Sequence, residues 1–266
     1  MNIEIKDQLN RLISLDKTPK RIISLVPSQT ELLYDLGLED SIVGLTKFCV
    51  HPYHLKQTKT IVGGTKNIKI EKIKALNPDL ILCNKEENTK EIVEACEGIT
   101  TVHVSDIFTL DDAIELIEQY GKLFSCRTES QKIIQKLQFK ITDFKEFIKD
   151  IPSKKVAYFI WRNPWMTAAN NTFINHILEL NKFENIYKNK ERYPEIELKK
   201  IRLEGDPDLV FLSSEPYPFK EEHAFEIGRC THHAKTVFVD GELFSWYGSR
   251  LLKSFDYFKK LHQRII

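Results

Sequence analysis

Cys49 and His51 stand two residues apart in "TKFCVHP", a spacing that points both side chains the same way on an extended chain. A thiolate and an imidazole so placed could ligate a soft metal; a structural or exposed pair with no ligand is the other reading. Glu86 and Glu87, in "NKEEN", could hold a ligand or wall off anions, although the first turn of a helix favours acids anyway. Arg162 and Arg250 carry the planar fork that suits a carboxylate or phosphate, and Lys66 adds a point charge beside two glycines in "GGTKN". That stretch lacks the G-x-x-x-x-G-K-[ST] spacing of a phosphate loop. "YGSR" offers Ser249 without the G-x-S-x-G elbow, so a hydrolase triad is not assigned. His232-His233 reads as a loop or a metal pair. No catalytic residue emerges.

These residues matter only if the fold gathers them. Apolar runs at 21–26, 41–45, 79–83, 100–104, 155–160, 208–213 and 235–240 read as strands, with helical patterns between them. Strand-helix alternation predicts an α/β protein with mostly parallel sheets flanked by helices. "RIISLV" is followed by Pro27 and then Ser28 with Glu31 three residues on, which predicts a capping box at the start of a helix. Residues 127–150, free of Gly and Pro, predict one long linking helix between an N-terminal lobe at 1–126 and a C-terminal lobe at 151–266. "IEKIKALNPDLILCNKE" resembles "ELKKIRLEGDPDLVFLSSE", and "TELLYDLGLEDSIVG" has an echo in "INHILELNKFENIYK". One supersecondary unit thus recurs in each half.

Ligands of parallel sheets bind beyond the carboxyl ends of the strands. The turns predicted there hold Trp161, Trp165 and Trp246, together with Lys47, Lys66, Glu86, Glu87, Arg162, Glu215 and Arg250. Aromatics with charges of both signs predict a polar, aromatic-walled cleft between the lobes.

The bulk numbers exclude some classes. The chain has 266 residues and a net charge of +1, with 39 basic against 38 acidic residues, so no broad field argues for nucleic acid. No segment reaches the length of a membrane span, and none is expected to insert. Five cysteines without paired spacing, and an N-terminus lacking an apolar signal core, predict a cytoplasmic chain as the sequence stands. A periplasmic location follows instead if an export signal has been removed.

"PKRIISLVPSQTELLYDLGLEDSIVGLT", the following "HP" and "IEKIKALNPDLIL" resemble the binding proteins of ABC importers for cobalamin and iron-siderophores, the helical-backbone metal receptors. The resemblance spans essentially the whole chain and is strongest over 19–105. It implies two lobes on a rigid helix, with ligand held between them, no intrinsic cofactor, and cobalt or iron brought by the ligand. Cobalamin binders of this family have aromatics where this chain has Phe48, Thr65 and Asn84. On the reading of a solute-binding protein, Trp161, Trp165, Trp246 and Tyr247 are expected to stack on a flat ligand while Lys66, Arg162 and Arg250 hold acidic groups. Family members carry one glutamate per lobe that docks on a permease: Glu71 matches the first, and Lys199, with Glu197 two residues away, falls at the second. The expected partners are a small-molecule ligand and an ABC permease, the protein being a monomer. Two other readings stand beside this one. The first is a cytosolic metal- or ligand-sensing protein using Cys49, His51 and Glu86. The second is an enzyme working through Cys49 or the glutamate pair.

Overall fold

The computed structural model describes residues 2–265, so Met1 and Ile266, the outer ends of the expected lobes, lie outside it. The chain folds as two compact units, Met1–Gln138 with Trp246–Leu252, and Phe139–Ser245 with Lys253–Ile266.

Unit 1 opens with a hairpin, β1 (Ile3–Lys6) and β2 (Leu12–Leu15). Its main sheet follows as β3 (Ile22–Ser24), α1 (Pro27–Asp35), β4 (Ile42–Leu45), α2 (Leu55–Thr58), β5 (Thr60–Ile61), α3 (Ile70–Ala75), β6 (Leu80–Asn84), α4 (Lys90–Glu97), β7 (Val102–Ser105) and α5 (Leu110–Leu123). The strands pair in the order β5-β4-β3-β6-β7, all parallel. Every residue of β3, β6 and β7 is buried, as strands covered by helices on both faces must be. On one face Ile23, Ile81, Cys83 and Val104 pack with Ile73 of α3 and with Ile92 and Cys96 of α4. Each large apolar side chain so buried contributes about 1.5–3 kcal/mol.

The long helix α6 (Arg127–Ile148) carries the chain into unit 2, the unit boundary falling at Gln138/Phe139 within it. There follow β8 (Lys154–Trp161), β9 (Met166–Thr167), α7 (Phe173–Leu180), β10 (Phe183–Asn185), α8 (Ile201–Glu204), β11 (Leu209–Ser213), α9 (Glu221–Gly228), β12 (Lys235–Val239), α10 (Gly241–Ser245) and α11 (Leu251–Ile265). The order β10-β8-β11-β12 is parallel, and β9 adds antiparallel to β8. It reproduces the pairing β4-β3-β6-β7 of unit 1, so the weak sequence repeat is a repeat of topology. The repeat has a physical signature in "PDL". The Asp79 carboxylate accepts the amides of Lys20 and Arg21 at 2.8 and 3.0 Å, at the start of β3. Asp208 accepts that of Lys155 at 2.7 Å, at the start of β8. The residue before each proline, Asn77 and Asp206, is left-handed at φ 44° and 46°.

Three expectations are corrected. The hairpin, β5, β9 and β10 are additional to the seven predicted strands. The capping box does not form: Pro27, whose fixed φ suits the first helical position, starts α1 with Val26 as cap, leaving Ser28 inside the first turn. Trp246–Leu252, expected in the C-terminal lobe, belongs to unit 1.

Candidate functional site

In unit 1 the strand order reverses between β3 and β6, so their carboxyl ends flank the switch point where α/β sheets bind ligands. After β6 the chain is fixed by two buried asparagines. The Asn84 side chain accepts the amides of Glu86 and Glu87 at 2.9 and 3.1 Å and donates to Ser105 Oγ at 3.0 Å. Asn88 accepts the amide of Asn84 at 2.9 Å and donates to the Thr65 carbonyl at 2.9 Å. The turn therefore presents Glu86 and Glu87 from a frame with no slack. Lys66 is exposed and donates to the Glu86 carbonyl at 2.5 Å. Burial pushes the Glu87 carboxyl up and Glu86 adds to it, while Lys66 and a hydrogen bond from Thr65 oppose them. Phe48 stands exposed in the turn after β4, with Lys47 Nζ 4.9 Å from its ring centroid.

The 246–252 segment packs on α1, which starts just beyond the end of β3. Arg250 closes its fork on Glu31 at 2.6 and 3.0 Å, both side chains buried, and lies 4.8 Å from the Trp246 ring. Trp246 meets His51 edge-on at 5.6 Å. Gln29 Nε2 donates to Tyr247 Oη at 3.3 Å and to Ser105 Oγ at 2.6 Å, and Tyr120 Oη donates to Gln29 Oε1 at 2.8 Å. Burial raises both tyrosines above the usual phenol range, so the network is uncharged. Gly248, at φ 90°, supplies the left-handed residue that turns the segment against Leu32.

In unit 2 the corresponding turns follow β8 and β11. Trp161 is exposed and meets Tyr217 edge-on at 5.5 Å, while Trp165 stacks on Phe219 at 5.9 Å and 9°. Arg162 donates to Glu226 Oε2 from Nε and a terminal nitrogen at 3.1 and 2.8 Å, with its Cζ 5.6 Å from the Trp165 ring. Ser213 at the end of β11 accepts the amide of Glu215 at 3.4 Å, as Asn84 does for Glu86. The Glu215 carboxylate accepts from Ser245 Oγ at 3.0 Å.

The expected residues thus divide. Phe48, Lys66, Glu86 and Glu87 reach the surface or half-reach it on unit 1 turns, and Trp161, Arg162, Trp165 and Glu215 do so on unit 2 turns. Asn84, Trp246, Tyr247 and Arg250 are buried, and the side chains of Asn84, Tyr247 and Arg250 bond to other protein groups, so these three hold neighbouring segments in place. Cys49 is fully buried, 3.1 and 3.3 Å from the hydroxyls of Thr30 and Thr46. Burial raises its thiol, opposite to what a thiolate ligand or nucleophile needs. Among the described residues no three His, Cys, Asp or Glu side chains are placed to share a metal. Glu71 and Glu197 are exposed and pair with Lys74 and Lys200 at 3.0 and 2.7 Å. Sequence reasoning missed Gln29, Asn88, Glu226 and the role of Glu31. A charge directly before the apolar pair Leu32-Leu33 in "TELL" was the available signal for the last.

Comparison with known proteins agrees with this fold. The family model for the periplasmic binding protein matches residues 22–229. An uncharacterised ABC transporter substrate-binding lipoprotein, YvrC of Bacillus subtilis, is 26% identical over 264 residues, 94% of this chain and 82% of that one. A vitamin B12-binding protein of Vibrio campbellii is 28% identical over 199 residues, 73% of this chain and 70% of its own length. The crystal structure of Helicobacter pylori CeuE in its Ni-His complex shares the fold with a TM-score of 0.84 at 17% identity, covering 100% of this chain and 90% of that one. Two parallel-sheet units with the same strand order, and a family match over most of the sequence, place the chain among solute-binding proteins rather than enzymes: it belongs to the periplasmic binding protein family.

Proposed function

We propose that this chain is the substrate receptor of an ABC importer and takes a metal chelate of the cobalamin or iron-siderophore kind, the metal arriving with the ligand. The observation that carries the reading is aromatic surface at the carboxyl ends of parallel strands: Phe48 and Trp161 keep 49% and 39% of their area in solvent. Large rings held out in water on supported turns suit a ligand with a broad, partly apolar face. The names of the curated relatives support the same class. Exposed Glu71 and Glu197 would meet the permease, with Lys199 a departure from the family pattern. The receptor would work outside the cytoplasmic membrane; among the described residues no helix is long and apolar enough to cross one.

The test is titration with cyanocobalamin, a ferric trihydroxamate and a ferric tricatecholate, followed by tryptophan fluorescence and calorimetry. Saturable binding of at least one, tighter than about 10 µM, is expected. Trp161→Ala or Phe48→Ala should weaken it by about tenfold without moving the urea midpoint. Absence of saturable binding for all three sinks the proposal.

A further inference from the structure

All five cysteines are free thiols, and two of them meet inside unit 1. Cys83 is the fourth residue of β6, and Cys96 stands in the last turn of α4, the helix that follows β6. Both lie at 0% exposure in the apolar layer that packs α4 on Ile81 and Val104. There the Cys83 thiol donates a hydrogen bond to the Cys96 sulfur. The other three thiols have different neighbours. Cys49 lies against the Thr30 and Thr46 hydroxyls, Cys126 faces the Tyr120 carbonyl at 3.8 Å, and Cys230 packs on the core of unit 2. The hydrogen bond, aided by burial, holds the Cys83 thiol well above its ordinary range, and it lowers Cys96 in spite of burial. The pair is therefore unequal: Cys96 is the better nucleophile, and Cys83 keeps its proton.

We propose that Cys83 and Cys96 form a peroxide-sensitive dithiol in which Cys96 is oxidised first and Cys83 closes a disulfide between β6 and α4. The Cys96 thiolate attacks one oxygen of hydrogen peroxide and breaks the O–O bond. It becomes a sulfenic acid, and the hydroxide released takes up a proton to leave as water. The Cys83 sulfur then displaces the sulfenic hydroxyl while giving up its own proton, so the S–S bond forms and a second water leaves. The two thiols lose two electrons and two protons, and one peroxide is reduced to two waters. Burial selects the oxidant. A small neutral molecule can reach Cys96 when the end of α4 opens, just before Gly98, and a bulky disulfide cannot. The bond ties α4 to the sheet one residue before Asn84, whose side chain holds the Glu86–Glu87 turn. The inference is independent of what the receptor binds.

The test exposes the full chain to hydrogen peroxide until the half-buried Cys230 is oxidised, then quenches with catalase and alkylates under denaturing conditions. Trypsin cuts after Lys85 and Lys90 and so places the two cysteines on separate peptides. The expected product is peptides 75–85 and 91–122 joined through Cys83 and Cys96, lighter than their sum by about 2 Da and parted by dithiothreitol. Cys83→Ser keeps a hydrogen-bond donor beside Cys96 but cannot close the bond, so Cys96 should accumulate as a sulfenic acid that dimedone traps. Recovery of Cys83 and Cys96 as alkylated thiols overturns the proposal, and so does a folded Cys83→Ser chain whose Cys96 takes no dimedone. If that variant does not fold, the joined peptides from the unaltered chain decide alone.

Discussion

His262 shows what burial does to one titratable ring. It stacks on Phe183 at 4.8 Å and 15°, touches Phe144 and Phe147, and has Nε2 3.3 Å from the Asn181 side-chain oxygen. Burial, with Lys154 nearby, lowers its pKa from 6.5 to about 4. The native ring therefore stays neutral where the unfolded ring already binds a proton. The stabilisation is complete above pH 6.5 and is lost as pH falls from 6.5 toward 4, up to about 3 kcal/mol. Carboxylates titrate in the same window, so the readout is a difference between proteins. His262→Phe, which keeps the stacking and removes the proton site, should lose less stability between pH 7 and pH 4 than the unaltered chain. Urea midpoints at both pH values check it, and parallel pH profiles would clear His262 of the effect.

At the scale of elements, the hairpin β1–β2 covers the exposed edge of β7 with side chains instead of a strand. Arg11 donates to the Val102 carbonyl at 3.0 Å, Asp7 accepts the Val104 amide at 3.2 Å, and Gln8 accepts the Asp106 amide at 3.1 Å. Those groups would otherwise be a template for another strand. Asp7, buried, also accepts the amides of Leu9 and Arg11 and pairs with the Arg11 guanidinium at 2.7 Å. Asp7→Ala should therefore cost about 3–5 kcal/mol and strip the Val104 amide of exchange protection, measured by urea denaturation and hydrogen exchange. None of this was legible in "MNIEIKDQLNRLISL", whose strands are four residues each and half exposed, with no continuous apolar run. Strands β3, β6, β7 and β11, buried at every residue, were legible as continuous apolar runs, and "PDL" because the same backbone need recurs, whereas β5, β9 and β10 are only two or three residues long. The Ser28–Glu31 motif misled for the opposite reason. Its spacing is local, while the Glu31 partner lies 219 residues away, beyond the reach of any spacing argument. The Arg250 fork, expected on a ligand carboxylate, closes on this glutamate, since what suits the one suits the other equally well.

For the whole molecule, the consequence is that unit 1 is not contiguous in sequence. Residues 1–150 contain every strand of its sheet and all of α6, yet lack Trp246–Leu252. Cutting there leaves the Glu31 carboxylate without Arg250 and Gln29 without Tyr247, both in places the fold has dried. A buried charge stripped of its partner costs about 3–5 kcal/mol, a large share of a domain's usual stability of about 5–15 kcal/mol. The 1–150 fragment should keep its far-ultraviolet signal but melt without cooperativity. Glu31→Leu should then act with opposite sign in the two contexts. In the full chain it takes the Glu31 carboxylate from the buried Arg250 fork and destabilises by about 3–5 kcal/mol. In the fragment it removes a buried charge that has lost the Arg250 guanidinium and restores a sharper transition, because an apolar group suits a buried place. Far- and near-ultraviolet dichroism across a urea series reads both. A fragment that unfolds as cooperatively as the full chain, or a Glu31→Leu effect of one sign throughout, would mean that the returning segment is an ornament on unit 1 and not a part of its core.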